Sequence, residues 1–354
     1  MKKYLLVNSL LFIFLALPGF GQNPRNIMID DITATACSHC ACMDSVLNRI
    51  VKVRHPNTII LGIQGPSSLF YLPKMDSLMF ALGFDGTGAK VNRQYDEQSV
   101  TSIADSVDAR YAASPQAPVK IEITSKSFDA QTRMVNISIK VTSLADNLNG
   151  LFRINMAITE DLVMGPQQHD PGCPGGDPYP FTLIPHYNVM RDIILTTHGE
   201  MLIDGIWTKD LAITRSYSFK LDSAALVPGN SNIVIYVDKK GDTLGQSPIQ
   251  QAIVQSVTRP VGISEDLQEQ NGSLFVYPNP SNGMTTFRLT MRQESVVSLF
   301  ICNAIGQERM IVSNRKMSAG MNDIPYDVSE LAPGVYSVIL KTINDKIYTK
   351  LIIL

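Results

Sequence analysis

The sequence lacks the signatures of several large functional classes. It has 30 Lys and Arg residues against 32 Asp and Glu, a net charge of −2, and no basic run after the N-terminal segment. Proteins that bind nucleic acid usually carry a basic patch or stripe, so the composition argues against nucleic acid as a ligand. The sequence also has no Gly-x-Ser-x-Gly elbow, no His-Glu-x-x-His motif and no phosphate-binding glycine loop. The common hydrolase and nucleotide-dependent enzyme classes therefore have no support.

Long apolar runs are also absent, except near the N-terminus. Residues 1–21 combine two early lysines with an apolar run, residues 10–17, that is followed by a proline and small residues. This order is typical of a secretory signal peptide, and we expect cleavage after Gly21. The run is shorter than the roughly 20 apolar residues that span a bilayer, and no later segment is long enough. We therefore expect an exported mature protein without a transmembrane segment.

Cysteine is scarce, with five residues at 37, 40, 42, 173 and 302. Export leads to an oxidising compartment where disulfides persist, and an odd count leaves at least one thiol unpaired within the chain. Cys37 and Cys40 are separated by two residues where a strand is predicted to pass into a helix, so their sulfurs can reach each other and we expect a disulfide. The role of Cys42 stays open, since this residue can face the core, pair with Cys173 or compete with Cys37 for Cys40. Cys302 occupies a strand position and is expected to behave as a small, half-buried apolar residue.

Hydrophobic periodicity changes along the chain and predicts a multidomain protein. Residues 27–33 and 58–63 are predicted strands that flank a helix after Cys42, so the strands should be parallel neighbours in one sheet. A later helix is predicted at 99–111. From Val119 onward the apolar residues alternate with polar ones, which is typical of antiparallel strands in a β-sandwich. We predict a signal peptide at 1–21, an α/β domain at 22–114, an all-β sandwich at 115–262, a linker at 263–273 and a small all-β sandwich at 274–354.

The last predicted domain carries several spaced motifs. They are Tyr277-Pro278-Asn279-Pro280, Asn303-Ala304-Ile305-Gly306-Gln307, Leu331-Ala332-Pro333-Gly334-Val335-Tyr336 and a terminal hydrophobic strand that contains Lys350. In this order they resemble the C-terminal sorting domain of type IX secretion cargo in Bacteroidetes-type bacteria. The resemblance implies recognition by the type IX secretion machinery, passage across the outer membrane and usually removal of the domain, with the cargo anchored or released. It assigns the sorting signal to Tyr277, Pro278, Asn279, Pro280, Gly306, Gly334, Tyr336 and Lys350. The alternative is a stability module that stays on the mature protein.

The region before the linker resembles a second family, named for a 28-kDa outer-membrane protein of the same bacteria. The resemblance is carried by five segments, at 31–40, 87–93, 154–162, 186–191 and 250–252. It implies a thioredoxin-like domain joined to a β-sandwich, and no defined activity. Thioredoxin-like folds generally place a cis-proline beside the cysteine pair, and residues 86–89 contain no proline. This departure argues against catalytic exchange.

The Cys37-Ser38-His39-Cys40 motif is the sharpest chemical feature. Amides at a helix N-terminus and a positive charge on His39 can lower the pKa of Cys37, which would then attack a disulfide while Cys40 resolves the mixed disulfide. The other interpretation is a static disulfide, which the missing proline favours. We therefore predict a cell-surface or secreted binding or structural protein for an unknown ligand, without a cofactor. The alternative is an extracytoplasmic thiol–disulfide oxidoreductase that uses Cys37 and Cys40.

The residue types offer two candidate metal sites. Cys37, His39, Cys40 and Cys42 are ligand types that zinc accepts, but near neighbours in sequence cannot easily surround one ion, and a distant second pair of ligands is missing. The segment 169–178 offers His and Asp side chains without the regular spacing of a calcium loop, so it is predicted to be a solvated surface loop. We predict no metal site. His186 and Arg191 are alternatively expected to pack at a domain junction.

Overall fold

The computed structural model describes residues 23–97, 99–168, 172–173, 184–225, 227–259, 272–291, 293–303, 307–342 and 346–354. The predicted signal peptide, most of the predicted linker and Gly306 lie outside the described residues. The chain is mostly β-sheet, and its strands form several sheets, in agreement with the predicted multidomain and largely β architecture. Within the described ranges, no helix combines the length and apolar character needed to cross a membrane.

The first unit alternates strands and helices. Its elements are β1 (Met28–Thr33), α1 (Ser38–Val46), α2 (Lys52–Arg54), β2 (Ile59–Gln64), α3 (Asp76–Leu82), β3 (Gly88–Val91), β4 (Tyr95–Glu97) and α4 (Ile103–Ala113). A π-helical turn, Leu47–Val51, joins α1 to α2. Strands β1 and β2 are parallel, which confirms the predicted β-α-β arrangement, whereas β3 is antiparallel to β1 and β4 is antiparallel to β3. The strand order here is β2-β1-β3-β4.

Successive side chains of β1 point to opposite faces of the sheet, so neighbouring residues of this strand pack against different helices. Ile29 belongs to the apolar cluster that includes Met43 of α1, and Met28 belongs to the cluster that includes Leu78 of α3. All six residues of β1 are buried, because helices cover both faces of the sheet. Asp31 is two residues beyond Ile29 and therefore faces α1.

The second unit is built from antiparallel strands, as the period of two predicts. They are β5 (Val119–Phe128), β6 (Met134–Ser143), β7 (Leu148–Glu160), β8 (Val163–Gly165), β9 (Ile184–His186), β10 (Val189–Ile193), β11 (Glu200–Trp207), β12 (Ala212–Lys220), β13 (Ser231–Lys239) and β14 (Ile249–Ser256). The three-stranded sheet β12-β6-β5 and the strands around β7 share one apolar core. Phe152 and Trp207 lie in this core, with ring centroids 5.4 Å apart.

The first and second units share a sheet. Strand β10 is antiparallel to β7 and parallel to β2, so a nine-stranded sheet runs through both units. The contact is close at Gly62, where a Cβ atom would lie 2.9 Å from the carbonyl oxygen of Asn188. The boundary predicted between residues 114 and 115 falls between α4 and β5 and stays a prediction.

A buried ion network also joins these two units. Arg93 of the first unit donates to Asp30 at 3.0 Å (Nε to Oδ2) and to Asp238 of the second unit at 3.3 Å (Nη1 to Oδ2). Arg153 donates to Asp238 at 2.8 Å from its Nε. Removing one member of a buried ion pair typically costs about 3–5 kcal/mol, because the other charge is left uncompensated. The network therefore fixes the first unit against the second.

The third unit is a small β-sandwich. Its strands are β15 (Gly272–Tyr277), β16 (Met284–Met291), β17 (Ser295–Cys302), β18 (Glu308–Met317), β19 (Gly320–Asp327), β20 (Gly334–Lys341) and β21 (Lys346–Ile353). They form a three-stranded sheet, β15-β16-β19, and a four-stranded sheet, β18-β17-β20-β21. Apolar side chains from both sheets meet in a core of its own, which includes Phe287, Leu299 and Leu340.

Candidate functional site

Cys37 and Cys40 lie where β1 leads into α1, the transition that the sequence predicts. Cys37 is the N-cap of α1, with an extended backbone, and its Sγ accepts the N–H of Cys40 at 3.1 Å. The two cysteines are joined by a disulfide, with Cα atoms 5.3 Å apart. Cys37 is half-buried, whereas Cys40 is only 3% exposed. An approaching thiolate therefore reaches the sulfur of Cys37 first.

Two other segments border this disulfide. Thr87, just before β3, places its Oγ1 4.0 Å from the Sγ of Cys37, so the proline-free segment 86–89 does lie beside the cysteine pair. On the other side, the buried Gln167 donates from Nε2 to the carbonyl oxygens of Cys37 at 2.8 Å and Ala34 at 3.2 Å. These contacts hold the turn that presents Cys37.

A buried carboxyl group lies beneath α1 and was not among the residues singled out from the sequence. Asp31 is 2% exposed, and its Oδ2 has no hydrogen-bond partner within the part of the chain that is described. Burial raises the pKa of Asp31 well above its ordinary value, and the nearby Asp44 raises it further. The available signal was the pair of aspartates inside an otherwise apolar strand, Met28-Ile29-Asp30-Asp31-Ile32, where one carboxylate pairs with Arg93 and the other does not.

Asp44 connects this carboxyl group to the cysteine motif. It lies one helical turn after Cys40, so the two side chains share a face of α1. Burial raises the pKa of Asp44 to about 7. Asp44 also raises the pKa of Asp31, so the two carboxyl groups are close enough to interact electrostatically. The site thus combines a half-buried sulfur, a buried sulfur and two carboxyl groups whose pKa values are raised by burial.

Cys42 is paired with Cys173 in a second disulfide, with Cα atoms 4.9 Å apart. Both residues are buried, and the disulfide links Cys173, in the segment that follows β8, to α1. Of the alternatives that the sequence leaves open, the structure therefore has Cys42 bonded to Cys173. Cys302 is the free cysteine and is half-buried in β17.

The remaining predicted polar residues lie at two places, with His39 on α1 and both His186 and Arg191 at Phe70 of the first unit. His39 is exposed on the first turn of α1. His186 is buried against Phe70, with ring centroids 5.0 Å apart, and burial lowers its pKa to about 4. Arg191 donates from Nε to Glu160 at 2.8 Å. Among the described residues, no group of three or more His, Cys, Asp or Glu side chains could hold a metal ion, and residues 169–171 and 174–178 of the candidate loop lie outside them.

The predicted sorting residues of the third unit meet at the last strand. Asn279 donates to the carbonyl oxygen of Lys350 at 2.5 Å and accepts the N–H of Ile352 at 2.8 Å. Ser281 continues this contact, since its N–H donates to the carbonyl oxygen of Ile352 at 2.9 Å. Tyr336 donates its hydroxyl to the carbonyl oxygen of Ala332 at 2.8 Å. The Tyr-Pro-Asn-Pro segment is therefore hydrogen-bonded to the end of β21. Gly306 lies outside the described residues.

Comparisons with known proteins match the third unit to a family and most of the chain to a solved structure. Residues 275–354 match the family model described as the secretion system C-terminal sorting domain. The structure of HBP35 of Porphyromonas gingivalis is similar over 94% of this chain and 100% of its own, with 16% sequence identity and a TM-score of 0.54. A domain of the outer membrane lipoprotein Omp28 from the same organism matches 41% of this chain and 91% of its own, at 16% identity and a TM-score of 0.24. No curated protein sequence gives a significant match.

The family match establishes the destination of the protein. Residues 275–354 are a C-terminal sorting domain, and the protein is exported to the cell surface or secreted. The similarity to HBP35 shows a shared fold, whereas the TM-score of the Omp28 domain is too low to bear on the fold.

Proposed function

We propose that this exported, type IX-secreted protein carries out thiol–disulfide exchange through Cys37 and Cys40. The proposal places these residues in a thioredoxin-like domain at 22–114. Its support is the strand order β2-β1-β3-β4, with a parallel β-α-β half, an antiparallel β-β-α half and the cysteine pair at the start of the helix of the first half.

The observation that carries the proposal is the carboxyl group of Asp31, which is buried beneath the helix of the cysteine pair and whose Oδ2 has no hydrogen-bond partner among the described residues. A fully buried carboxylate without a partner is costly, so a static structural disulfide gives no reason to keep one there. Burial raises the pKa of Asp31 well above the ordinary value, so this carboxyl group can hold a proton at a pH where an exposed aspartate has lost it. Cys40 is the buried cysteine and needs such a group, because only its thiolate is a nucleophile.

The exchange would proceed in two balanced steps. The thiolate of reduced Cys37, stabilised by the amides at the start of α1, attacks a substrate disulfide, and one substrate sulfur leaves as a thiolate. Asp31 then accepts the proton of Cys40, whose thiolate attacks the sulfur of Cys37. The second substrate sulfur leaves, and the Cys37–Cys40 disulfide forms again. The substrate gains two electrons, which the two cysteine thiols lose.

Trapping of the mixed disulfide tests this proposal. In a Cys40→Ser variant the second step is blocked, so Cys37 should stay joined to a model peptide substrate through a mixed disulfide. The trapped protein should then migrate at a higher mass on a non-reducing gel. Cys37→Ser should trap nothing, and Cys302→Ser is the matched control that keeps wild-type turnover. Equal trapping by the Cys37→Ser variant, or no trapping by Cys40→Ser, would exclude exchange at this pair.

The second candidate is a surface or secreted binding or structural protein in which the Cys37–Cys40 disulfide is inert. Two contacts favour it. Thr87, rather than a proline, stands beside Cys37, and Gln167 fastens the carbonyl oxygen of Cys37. The reduction potential separates the two candidates, because a structural disulfide lies below about −300 mV and an exchanging one between about −270 and −120 mV.

A further inference from the structure

The outer face of the sheet β15-β16-β19 in the sorting domain carries a buried charged side chain, and packing within the β-sandwich does not explain this burial. In β16, Phe287 and Leu289 point into the core of the third unit. Arg288 lies between them and therefore points to the outer face of the sheet β15-β16-β19. An arginine on the outer face of a two-layer sandwich normally reaches water, yet Arg288 is only 2% exposed.

The outer-face patch consists of Phe275, Tyr277, Arg288 and Asp323. Strand pairing places Phe275 opposite Arg288, and Arg288 opposite Asp323, so one row crosses three strands. Arg288 donates to both carboxylate oxygens of Asp323 at 2.7 Å, and its guanidinium carbon lies 5.0 Å from the ring centre of Tyr277. Tyr277, which follows Phe275 on the same face, is 8% exposed.

A tyrosine from the cargo packs on this patch. Tyr187 belongs to the segment between β9 and β10, and its ring centroid lies 5.9 Å from that of Phe275. Its hydroxyl is buried without a hydrogen-bond partner in the described ranges. Burial raises the pKa of Tyr187, and Asp161 of the cargo and Asp323 of the sorting domain raise it further. Tyr187 is therefore influenced by carboxylates from both parts of the chain.

We propose that the sorting domain docks on its own cargo through Tyr187 and the outer-face patch, and that this contact covers Tyr277 of the Tyr-Pro-Asn-Pro signature. The proposal is independent of the thiol chemistry. Strand β19 also contacts the π-helical turn Leu47–Val51, which extends the contact beyond one aromatic pair. A short linker holds the two parts at an effective concentration of about millimolar, so even a modest contact keeps the domain docked in the intact chain.

Docking has a direct consequence for sorting. The signature residue Tyr277 is shared between the patch and the Tyr-Pro-Asn-Pro segment, whereas Asn279 is hydrogen-bonded to the last strand. Secretion machinery that reads the Tyr277 side has to open the contact with the cargo first. The cargo thus acts as a cover for one part of its own sorting signal.

Small-angle scattering of the intact mature chain tests the docking. The wild type should give a compact profile, and Tyr187→Ala and Phe275→Ala should each raise the undocked fraction by about tenfold and enlarge the radius of gyration. Their combination should be less than additive, because both remove the same contact. Two controls keep the compact profile: Tyr187→Phe, which retains the ring and removes an unpartnered hydroxyl, and Phe300→Ala, which removes an equal ring from the other sheet of the sorting domain. An extended wild type, or identical profiles for the wild type and both alanine variants, overturns the proposal.

Discussion

The carboxyl pair beneath α1 makes a prediction about pH and stability. Replacing Asp44 by asparagine removes one of the two interacting carboxyl groups and keeps the size of the side chain. The pKa of Asp44 in the folded protein is about 7, against an ordinary value of 3.8. Between these values the folded state holds a proton that the unfolded state has lost. The stability contributed by this proton is fully present below about pH 4 and is lost as the pH rises through 7.

The magnitude follows from the difference between the two pKa values, which is about three units. Each unit corresponds to about 1.4 kcal/mol, so Asp44 costs the folded state up to about 4 kcal/mol at pH 8 relative to pH 4. His186 acts in the opposite direction, because burial lowers its pKa to about 4 and its neutral form is the one that the fold accepts. Both the wild type and Asp44→Asn retain His186, so its contribution cancels in their difference, which reports on Asp44 and on the Asp31 carboxyl group that interacts with it.

Urea unfolding at pH 5 and pH 8, followed by circular dichroism on the oxidised protein, measures the effect. We expect Asp44→Asn to be more stable than the wild type by about 1.5 kcal/mol at pH 5, where the unfolded carboxyl group is already ionised, and by up to about 4 kcal/mol at pH 8. Asp105→Asn, which changes an exposed carboxylate in the first turn of α4, is the matched control and should follow the wild type at both pH values. If Asp44→Asn and the wild type keep the same difference in stability at pH 5 and pH 8, the carboxyl group of Asp44 is not buried beside Asp31 and the reasoning fails.

Three further outcomes follow from the organisation of the chain. Limited proteolysis should cut preferentially between residues 264 and 273, since this polar stretch joins parts that have separate cores, and cutting inside strands instead would contradict that boundary. Removing residues 275–354 should leave the remainder folded but trapped in the periplasm, and normal surface appearance of the truncated protein would refute the role of the domain in delivery. Peptide mapping of the exported protein without reductant should recover the bridges Cys37–Cys40 and Cys42–Cys173, and a Cys40–Cys173 bridge would show that the motif is misplaced.

Local pattern was sufficient to predict much of the fold. The apolar run 58–63 and the helical spacing after Cys42 predicted the parallel pair β1 and β2, because each signal lies within one element and its neighbour. Strand β10 could not be predicted in the same way. This strand has only five residues. Its place between β2 and β7 depends on the close approach of its segment to Gly62 of β2, which is more than 100 positions away in sequence.

The candidate site was predictable only in part for a similar reason. Cys37 and Cys40 are close in sequence, so their proximity follows from local geometry. The pairing of Cys42 with Cys173 spans 131 positions and cannot be deduced from cysteine counts. Asp31 was missed because two aspartates in a buried strand look alike in sequence, and only the tertiary position of Arg93 decides that Asp30 is paired. The missing proline was visible from sequence and favoured an inert disulfide, whereas the buried carboxyl under α1 favours exchange.

The reduction potential of the Cys37–Cys40 pair tests the proposed exchange most directly. The mature protein would be equilibrated with glutathione buffers, and the redox state of this pair would be followed by alkylation and mass spectrometry, with Cys42 and Cys173 as the internal structural reference. We predict a potential between about −270 and −120 mV for Cys37–Cys40, within the range of thiol–disulfide oxidoreductases. A value below about −300 mV would contradict exchange and leave the pair as a structural disulfide.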